Sequence, residues 1–402
     1  MSVLKGKKVL LGITAGIAAY KTAGLVRLFI KSGAEVKVIM TPAAKDFITP
    51  LTLSTLSKNE VYSSFTNEED ENATWNNHVE FGLWADFMLI APATANTLSK
   101  MAAGTSDNLL LATYLSAKCP VYFAPAMDLD MFQHPSTKNS FATLKSYGNI
   151  IIPAGTGELA SGLHGEGRMA EPEEIVKFIE DDLFAKLPLK HKKFLITAGP
   201  TYEAIDPVRF IGNHSSGKMG YEIAKTALQL GAEVVLISGP TSMALEHENL
   251  KIIQVNTAQE MLREAENYFD EVDVFIAAAA VADYRPASVA SEKIKKADTH
   301  LTIELVKNPD ILATLGKRKK DQIVIGFALE TENGVENARK KLEAKNLDFI
   351  VLNSLKDKGA GFKKDTNKIS IIYPGSIKEF DLKSKTEVAA DIINELIPLL
   401  NA

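Results

Sequence analysis

Residues 7–16 read KKVLLGITAG, and residues 192–201 read KKFLITAGPT. In both stretches two lysines precede a short apolar run, and the run ends at a glycine turn. An apolar run without alternation is typical of a strand that is covered on both faces of a parallel sheet. A helical segment follows each stretch and leads to a second such run, SGAEVKVIMTP at 32–42 and LGAEVVLISGPT at 230–241. The repeated pattern predicts two α/β domains.

Further apolar runs extend this pattern in both halves of the chain. In the first half, strands are predicted at about 8–14, 35–41, 87–92, 121–126 and 149–153. In the second half, they are predicted at about 194–198, 234–238, 273–281, 301–306, 323–329, 348–353 and 368–373. We expect two doubly wound, mainly parallel-sheet, Rossmann-like domains, whose ligands bind beyond the carboxyl ends of the strands.

The join between the halves lies in the stretch DDLFAKLPLKHKK, residues 181–193. A helix predicted at about 172–185 ends before Pro188, and a basic stretch leads into the next strand. These features predict a domain of residues 1–190 and a domain of residues 191–402. A chain of 402 residues is long enough for two separate cores.

Composition excludes several classes of function. The net charge of -5 argues against nucleic acid as a partner. The single cysteine, Cys119, rules out an intramolecular disulfide and predicts a reducing, cytoplasmic location. Apolar runs such as FMLIAPATA and VFIAAAAVA are shorter than the roughly 18 residues that span a bilayer, so no membrane segment is predicted.

Two loops after predicted strands have the composition of a phosphate site. The first, GITAGIAAYK at 12–21, offers Gly12, Thr14 and Gly16 at the start of a helix. The second, APATANTLSKMAAGTSDNLL at 91–110, is also rich in small and hydroxyl residues. Free backbone N–H groups at a helix start bind anions. Tight packing of strand against helix is the structural alternative for the first loop.

The stretch GNHSSGKMG at 212–220 almost matches the phosphate-binding loop G-x-x-x-x-G-K-[ST]. Met219 stands where that loop needs a hydroxyl to bind Mg2+. The preceding EAIDPVRFI is also not the uninterrupted strand that feeds such a loop. The stretch therefore indicates a different kind of site.

Four elements of the first half resemble the flavin-dependent cysteine decarboxylase family, which includes the 4'-phosphopantothenoylcysteine decarboxylases. They are NHVE at 77–80, APATANT at 91–97, PAM-x-x-x-M at 125–131 and G-x-G-R-M at 165–169. The resemblance implies FMN as cofactor and His78 as the catalytic histidine, because an imidazole can assist oxidation of the substrate thiol. The residues that it implies for FMN are Gly12, Thr14, Ala15, Thr41, Thr94, Ala95, Asn96 and Thr97.

Two positions depart from that family. Asp128 stands where the family has an asparagine that positions the substrate carboxylate, and an ionised Asp128 would repel that group. Ser161 stands where the family has a cysteine that donates a proton to the enethiol intermediate. A hydroxyl is a far weaker acid than a thiol, so we hypothesise that a protonated Asp128 or His164 supplies this proton. Water relayed by Ser161 is the alternative.

The second half resembles phosphopantothenate-cysteine ligases, and the motifs that carry the resemblance occur in the family's order. They are ITAGPTYEAIDPVRFIGNHSSGKMGYEIA at 196–224, AAVADYRPASVASEKIKK at 279–296, LVKNPDIL at 305–312, IGFALET at 325–331 and ARKKLEAKNLD at 338–348. The resemblance implies that CTP activates 4'-phosphopantothenate as an acyl-cytidylate, from which cysteine displaces CMP.

By the same resemblance, Asn213 steadies the acyl intermediate, Lys293 meets the nucleotide phosphates, and Asp283 contacts the nucleotide or its Mg2+. The implied CTP pocket also contains Ala277, Ala278, Ala279, Pro309, Asp310, Ile311 and Phe327. Lys341 and Lys345 add a clue from spacing, since at i, i+4 on one helix they form a like-charge pair that an anion can bridge. Two lysines that point separately into water are the alternative.

The sequence thus predicts a bifunctional enzyme of coenzyme A biosynthesis, with small-molecule substrates. The alternatives are a ligase fused to a divergent flavin-dependent cysteine decarboxylase that releases an enethiol, or to a flavin-binding regulatory domain. The resemblance also implies a homo-oligomer with trimeric decarboxylase contacts and dimeric ligase contacts. Without it, the residues do not distinguish CTP from ATP.

Overall fold

A computed structural model of the chain describes residues 2–66, 75–295, 301–330, 333–354 and 365–401. The chain forms two compact units, Met1–Ala185 and Lys186–Ala402. The division falls five residues before the predicted boundary. No helix in the described ranges is long and apolar enough to cross a membrane.

The first unit alternates strands with helices. Its strands are β1 (Lys8–Ile13), β2 (Glu35–Met40), β3 (Val61–Tyr62), β4 (Phe87–Ala93), β5 (Val121–Pro125), β6 (Ile150–Ile151), β7 (Gly155–Glu158) and β8 (His164–Arg168). Its helices are α1 (Thr22–Lys31), α2 (Pro50–Ser57), α3 (His78–Trp84), α4 (Ala95–Ala103), α5 (Leu109–Ser116), α6 (Leu129–Gln133), α7 (Pro135–Ser146) and α8 (Pro172–Ala185). Short 3-10 turns occupy Ile17–Lys21 and Pro42–Asp46.

Six of these strands form one parallel sheet in the order β3-β2-β1-β4-β5-β6. This is the strand order of the Rossmann fold, in which the chain reverses direction across the sheet between β1 and β4. Strand β1 is buried except at Lys8, and β4 is buried throughout, as the unbroken apolar runs predict. The remaining strands, β7 and β8, form a separate antiparallel hairpin.

The second unit contains more strands and a longer sheet. Its strands are β9 (Lys193–Ala198), β10 (Tyr202–Ala204), β11 (Phe210–Gly212), β12 (Glu233–Ser238), β13 (Leu250–Gln254), β14 (Val274–Ala277), β15 (Tyr284–Pro286), β16 (Leu305–Lys307), β17 (Ile323–Glu330), β18 (Phe349–Ser354), β19 (Thr366–Asn367), β20 (Ile369–Ile372), β21 (Ile377–Glu379) and β22 (Lys383–Ser384). Its helices are α9 (Lys218–Gln229), α10 (Ala258–Phe269), α11 (Ile311–Arg318), α12 (Gly334–Ala344) and α13 (Lys385–Leu400).

The main sheet of this unit has the order β13-β12-β9-β14-β17-β18-β20-β21. Its first six strands are parallel and repeat the Rossmann order, whereas β20 and β21 join the edge antiparallel. The predicted fold of two doubly wound, mainly parallel-sheet domains is therefore confirmed. The third glycine of the 212–220 stretch, Gly220, sets α9 close to β9, since a Cβ there would lie 2.6 Å from the Ala198 Cβ.

One strand prediction for the second unit was wrong, and the edge strand β13 was not predicted. The run at 301–306 does not enter the main sheet, because only β16 forms there, and it pairs antiparallel with β15 in a separate ribbon. Leu301 and Leu305 are exposed, so the apolar run that suggested a buried strand is not covered. The edge strand β13 was missed because none of its residues is fully buried, and Lys251 and Gln254 interrupt its apolar residues.

Four buried hydrophobic clusters make up the cores of the described structure. The first sheet has one cluster on each of its two faces, and so does the second sheet. Among the described residues, each cluster draws its members from one unit only. Each unit therefore has its own core, as expected of an independent domain.

Candidate active sites

The first unit contains a cavity of about 960 Å³ at the carboxyl ends of its central strands. The loops after four strands contribute to its wall. From these loops the lining includes Ala15 and Gly16 after β1, Thr41 after β2, Thr94, Ala95, Asn96 and Thr97 after β4, and Ala126, Met127 and Asp128 after β5. The cavity lies at the point where the strand order reverses, which is where open α/β sheets bind ligands.

Polar groups of this cavity fit a phosphate-bearing cofactor. The Thr41 hydroxyl is buried and has no hydrogen-bond partner among the described residues. Thr94 is the N-cap of α4, but its side chain makes no capping hydrogen bond. The first backbone N–H groups of α4, which borders the cavity, therefore have no side-chain acceptor and suit an anion. A buried hydroxyl without a partner is costly unless a ligand or water satisfies it. The residues present therefore fit the FMN that the sequence implied.

Gly12 and Thr14 lie behind the cavity wall instead of lining it. A Cβ on Gly12 would lie 3.1 Å from the Leu110 side chain, so this glycine serves the close packing of β1. The Thr14 hydroxyl donates to the Pro92 carbonyl at 2.6 Å and lies 3.3 Å from the Thr94 hydroxyl. Thr14 thus joins the two loops that face the cavity.

Asp128 and Ser161 both line the cavity. Asp128 caps the start of α6, where its Oδ1 accepts from the Leu129 N–H at 2.7 Å. Ser161 lies at the exposed tip of the β7–β8 hairpin. Neither His164 nor Cys119 is among the lining residues. Cys119 precedes β5 at the opposite end of the strand, and burial raises the pKa of its thiol.

His78 is not among the residues that line this cavity. It is the first residue of α3, and the preceding Asn77 caps the helix by accepting from the Val79 N–H at 3.0 Å. Its Nδ1 is buried without a partner among the described residues, and the ring meets Phe65 edge-on at 6.0 Å. This geometry does not test the catalytic role, which stays a prediction.

Two cations that also line the first cavity, Lys21 and Arg168, were not predicted as site residues. The Lys21 side chain is only 5% exposed, and its Nζ donates to Glu171 at 2.9 Å and to the Met169 carbonyl at 3.0 Å. Arg168 donates to the same Glu171 oxygen at 2.9 Å. The Lys21 contacts join residues about 150 positions apart, so no local pattern marks them, whereas Arg168 and Glu171 are three positions apart. A lysine inside the apolar stretch IAAYK was the available signal.

The second unit has a cavity of about 640 Å³ beside the ends of β14 and β17. Most of the residues predicted for CTP line it: Ala277, Ala279, Asp283, Pro309, Asp310, Ile311, Phe327, Lys341 and Lys345. Ala278, Asn213 and Lys293 are not among the lining residues. Lys307 and Thr197, which were not predicted, are part of the wall.

Lys345 has a partner that its spacing did not predict. It is the C-cap of α12, which ends at Ala344, and its N–H donates to the Lys341 carbonyl at 3.1 Å, so the two lysines lie one helical turn apart. The Lys345 ammonium forms an ion pair with Asp310 at 2.8 Å. Burial opposes ionisation of Asp310, but the bonds from Lys345 and the Ala313 N–H outweigh it and lower the pKa of this carboxyl. Both lysines nevertheless face the same cavity.

Asn213 and Lys293 lie in neighbouring loops. The Asn213 Nδ2 donates to the Val281 carbonyl at 2.8 Å, next to the cavity residue Ala282. The Lys293 side chain is exposed. Asp283 is the carboxylate predicted for Mg2+, and the described residues contain no group of three or more metal-ligating side chains. A single protein carboxylate is compatible with Mg2+ that is bound mainly by nucleotide phosphates, so the metal stays a prediction.

Comparisons with known proteins agree with this two-part architecture. The Flavoprotein family model matches residues 2–184, and the model for the DNA/pantothenate metabolism flavoprotein C-terminal domain matches residues 189–399. The coenzyme A biosynthesis bifunctional protein CoaBC of Bacillus subtilis is 44% identical over 400 residues, covering 99% of this chain and 98% of that protein. A cysteine/cysteine sulfinic acid decarboxylase of an unknown prokaryotic organism is 52% identical over 360 residues, covering 88% of this chain and all of that protein.

Among solved structures, the crystal structure of the C-terminal domain of a CoaBC protein is 44% identical. It covers 54% of this chain and 99% of its own length, with a TM-score of 0.47. Both family models and the full-length relative place the two halves in the order seen here. The chain therefore belongs to the family of bifunctional coenzyme A biosynthesis proteins.

Proposed function

We propose that the chain catalyses two consecutive steps of coenzyme A biosynthesis. The second unit joins 4'-phosphopantothenate to cysteine with CTP, through an acyl-cytidylate. The first unit, with FMN, decarboxylates the resulting 4'-phosphopantothenoylcysteine to 4'-phosphopantetheine. The observation that carries this proposal is that most of the residues implied for FMN line a cavity in the first unit, and most of those implied for CTP line a cavity in the second. The full-length likeness to CoaBC supports it.

In the first unit, the chain's own residues bind the cofactor and orient the substrate. The Thr41 hydroxyl and the amides at the start of α4 hold the cofactor's polar groups. FMN, when bound, supplies a two-electron acceptor that oxidises the thiol-bearing carbon and later returns the electrons. Asp128 and Ser161 face the same space and contact the substrate. The hairpin that carries Ser161 forms part of the cavity wall.

In the second unit, cations and a carboxylate surround the nucleotide site. Lys341, Lys345 and Lys307 line the cavity and suit a triphosphate. Asp283 lies on the same wall and binds the Mg2+ that accompanies the nucleotide. Asn213 hydrogen-bonds the acyl intermediate, and Lys293 meets the phosphates from its exposed segment.

The test of this proposal is to incubate the purified chain with 4'-phosphopantothenate, cysteine and either CTP or ATP. The products are identified by mass. We expect the protein to be yellow, to release CMP with CTP, and to form 4'-phosphopantetheine. A colourless protein that does not take up FMN would reject the decarboxylase half. The absence of both 4'-phosphopantothenoylcysteine and 4'-phosphopantetheine with either nucleotide would reject the ligase half.

Lys341→Ala is predicted to raise the CTP concentration needed for half-maximal ligation by about tenfold, because a charge-assisted bond to phosphate is lost. Lys340→Ala is the matched control. Lys340 lies one residue away, is exposed, and pairs with Glu336 at 2.7 Å outside the cavity lining. Initial rates at varied CTP measure both variants. Equal effects would show that Lys341 does not meet the nucleotide.

A second substrate for the first unit is favoured by Asp128. The amine of 4'-phosphopantothenoylcysteine is an uncharged amide, whereas free cysteine carries an ammonium. The carboxylate of Asp128 in the cavity suits an ammonium better than it suits a substrate carboxylate. The 52% identical relative, a cysteine/cysteine sulfinic acid decarboxylase, supports this assignment. The first unit would then also convert free cysteine to cysteamine and CO2.

Asp128→Asn separates these substrates. We expect about a tenfold lower kcat/KM with free cysteine, because an ion pair in a partly covered site is lost, and no loss of kcat/KM with 4'-phosphopantothenoylcysteine. Asp130→Asn is the control, since Asp130 is exposed on the same helix and does not line the cavity. A loss with both substrates, together with accumulation of oxidised enethiol, would instead identify Asp128 as the proton donor hypothesised from the sequence.

The trimeric and dimeric contacts implied by the family stay predictions. So does the cytoplasmic location, which rests on the single cysteine and the proposed substrates.

A further inference from the structure

A turn at residues 205–209 joins β10 to β11 in the second unit, and Asp206 is its buried residue. The Asp206 side chain is fully covered, which is rare for a carboxylate unless it is paired. Its Oδ1 accepts from the Val208 N–H at 2.9 Å and from the Arg209 N–H at 2.8 Å. Its Oδ2 accepts from the Arg209 Nε at 2.9 Å and also from Nη2. The Arg209 guanidinium, with these N–H groups, holds the pKa of Asp206 far below its usual range.

The same carboxylate also binds a second segment of the chain. The Ile294 N–H donates to the Asp206 Oδ2 at 3.2 Å, and the Arg209 Nη2 donates to the Ile294 carbonyl at 3.0 Å. The Ala290 N–H donates to the Ile205 carbonyl at 3.0 Å. Three hydrogen bonds therefore fasten residues 290–294 to a turn more than 80 positions earlier in the chain.

This joint connects the two residues that we assign to the ligase reaction. Asn213 directly follows β11, the strand that begins after the turn, and Lys293 directly precedes Ile294. Neither Asp206 nor Arg209 lines the nucleotide cavity. We propose that Asp206 is a positioning residue of the ligase, which holds the segment carrying Lys293 in a fixed place relative to Asn213. Displacement of a catalytic group by about 1 Å can cost about a hundredfold in rate, so such a joint matters for catalysis.

Asp206→Asn is the variant that tests this role. An asparagine keeps one oxygen for the turn, but its NH2 group cannot accept hydrogen bonds from Arg209 and Ile294. The turn can therefore persist while the segment at 290–294 loses its anchor. Asp270→Asn is the control, since Asp270 forms an exposed ion pair with Arg318 elsewhere in the same unit.

The experiment is a double-mutant cycle in the full chain and rests on the proposed ligase activity. Ligation rates are compared for the wild type, Asp206→Asn, Lys293→Gln and the double variant. We expect Asp206→Asn alone to lower kcat by about tenfold or more, and to add less than about twofold in the Lys293→Gln background. The Kd for CTP, measured by calorimetry, should rise in Asp206→Asn by no more than it rises in Lys293→Gln, because the cavity wall is untouched and only the phosphate contact of Lys293 is displaced. The proposal would be overturned if the rate loss in the double variant equalled the product of the two single losses. An unchanged rate for Asp206→Asn would also overturn it.

Amide hydrogen exchange gives a readout that does not depend on activity. Exchange in residues 290–294 should become about tenfold faster in Asp206→Asn and stay unchanged in Asp270→Asn. Unchanged exchange in Asp206→Asn would overturn the proposal. If Asp206→Asn does not fold, Arg209→Lys takes its place, because it removes the guanidinium that donates to Ile294. The same rates and the same exchange are then measured, with the same expected results. A wild type without ligase activity would reject the proposed function, while the exchange result would still show whether Asp206 anchors the segment.

Discussion

Replacing His78 with asparagine is expected to lower CO2 release by about a hundredfold or more, the usual contribution of a general acid or base. The reason is that the proposed role of His78 is proton transfer during oxidation of the substrate thiol. Flavin content should not change, because His78 is not among the residues that line the cavity. CO2 release and the flavin absorbance of the purified variant measure the two properties separately.

His191→Asn is the control for this prediction. His191 is exposed and has a φ of 66°, a left-handed conformation that asparagine adopts readily, so the substitution should be silent. If His78→Asn loses FMN or unfolds, His78 has a structural role, which its buried Nδ1 and its contact with Phe65 would explain. Normal CO2 release with normal flavin content would remove His78 from the mechanism.

Asn213→Ala is expected to lower the rate of ligation by about a hundredfold or more. The reason is that the variant loses a hydrogen-bond donor to the charge that develops on the acyl group during its transfer. One Asn213 N–H is used by the Val281 carbonyl, which holds the amide in place and leaves the second N–H for the intermediate. Rapid quenching followed by mass measurement distinguishes poor formation of the acyl-cytidylate from poor use of it.

Asn267→Ala is the matched control, because Asn267 is exposed on α10 and hydrogen-bonds only its neighbour Glu264 among the contacts described. Full ligation by Asn213→Ala would mean that its amide serves only to fix the loop to Val281. Decarboxylation of added 4'-phosphopantothenoylcysteine should stay normal in both variants, because the cavity for that reaction lies in the other unit.

The fold was predictable from the sequence where the signal is local. Runs such as residues 8–13 and 87–93 are buried on both faces, so hydrophobicity alone locates them, and a helix between consecutive strands predicts parallel pairing. The same reasoning failed at 301–306, because an apolar run on an exposed ribbon has the composition of a core strand without its burial. It also missed β13, an edge strand with no fully buried residue.

In the candidate sites, too, residues with a local signal were predictable and residues with distant partners were not. The loop that begins at Thr94 was predictable from its composition and from its position after a strand, because a parallel sheet brings such loops to one edge. Thr41 was implied only by the family resemblance. Lys21 and Asp206 were not predictable, since their partners lie far away along the chain. The pairing of Lys345 with Asp310 was not predictable either, since Asp310 lies 35 positions earlier in the chain.

The separate cores of the two units have a genetic consequence. A substitution that inactivates one unit need not disturb the other, since in the described structure no hydrophobic cluster is shared between them. Two defective copies in one cell, one with His78→Asn and one with Asn213→Ala, should therefore complement each other and restore coenzyme A synthesis. Because both units are part of one chain, the cell makes them in equal numbers. The amount of one unit therefore cannot change without an equal change in the other.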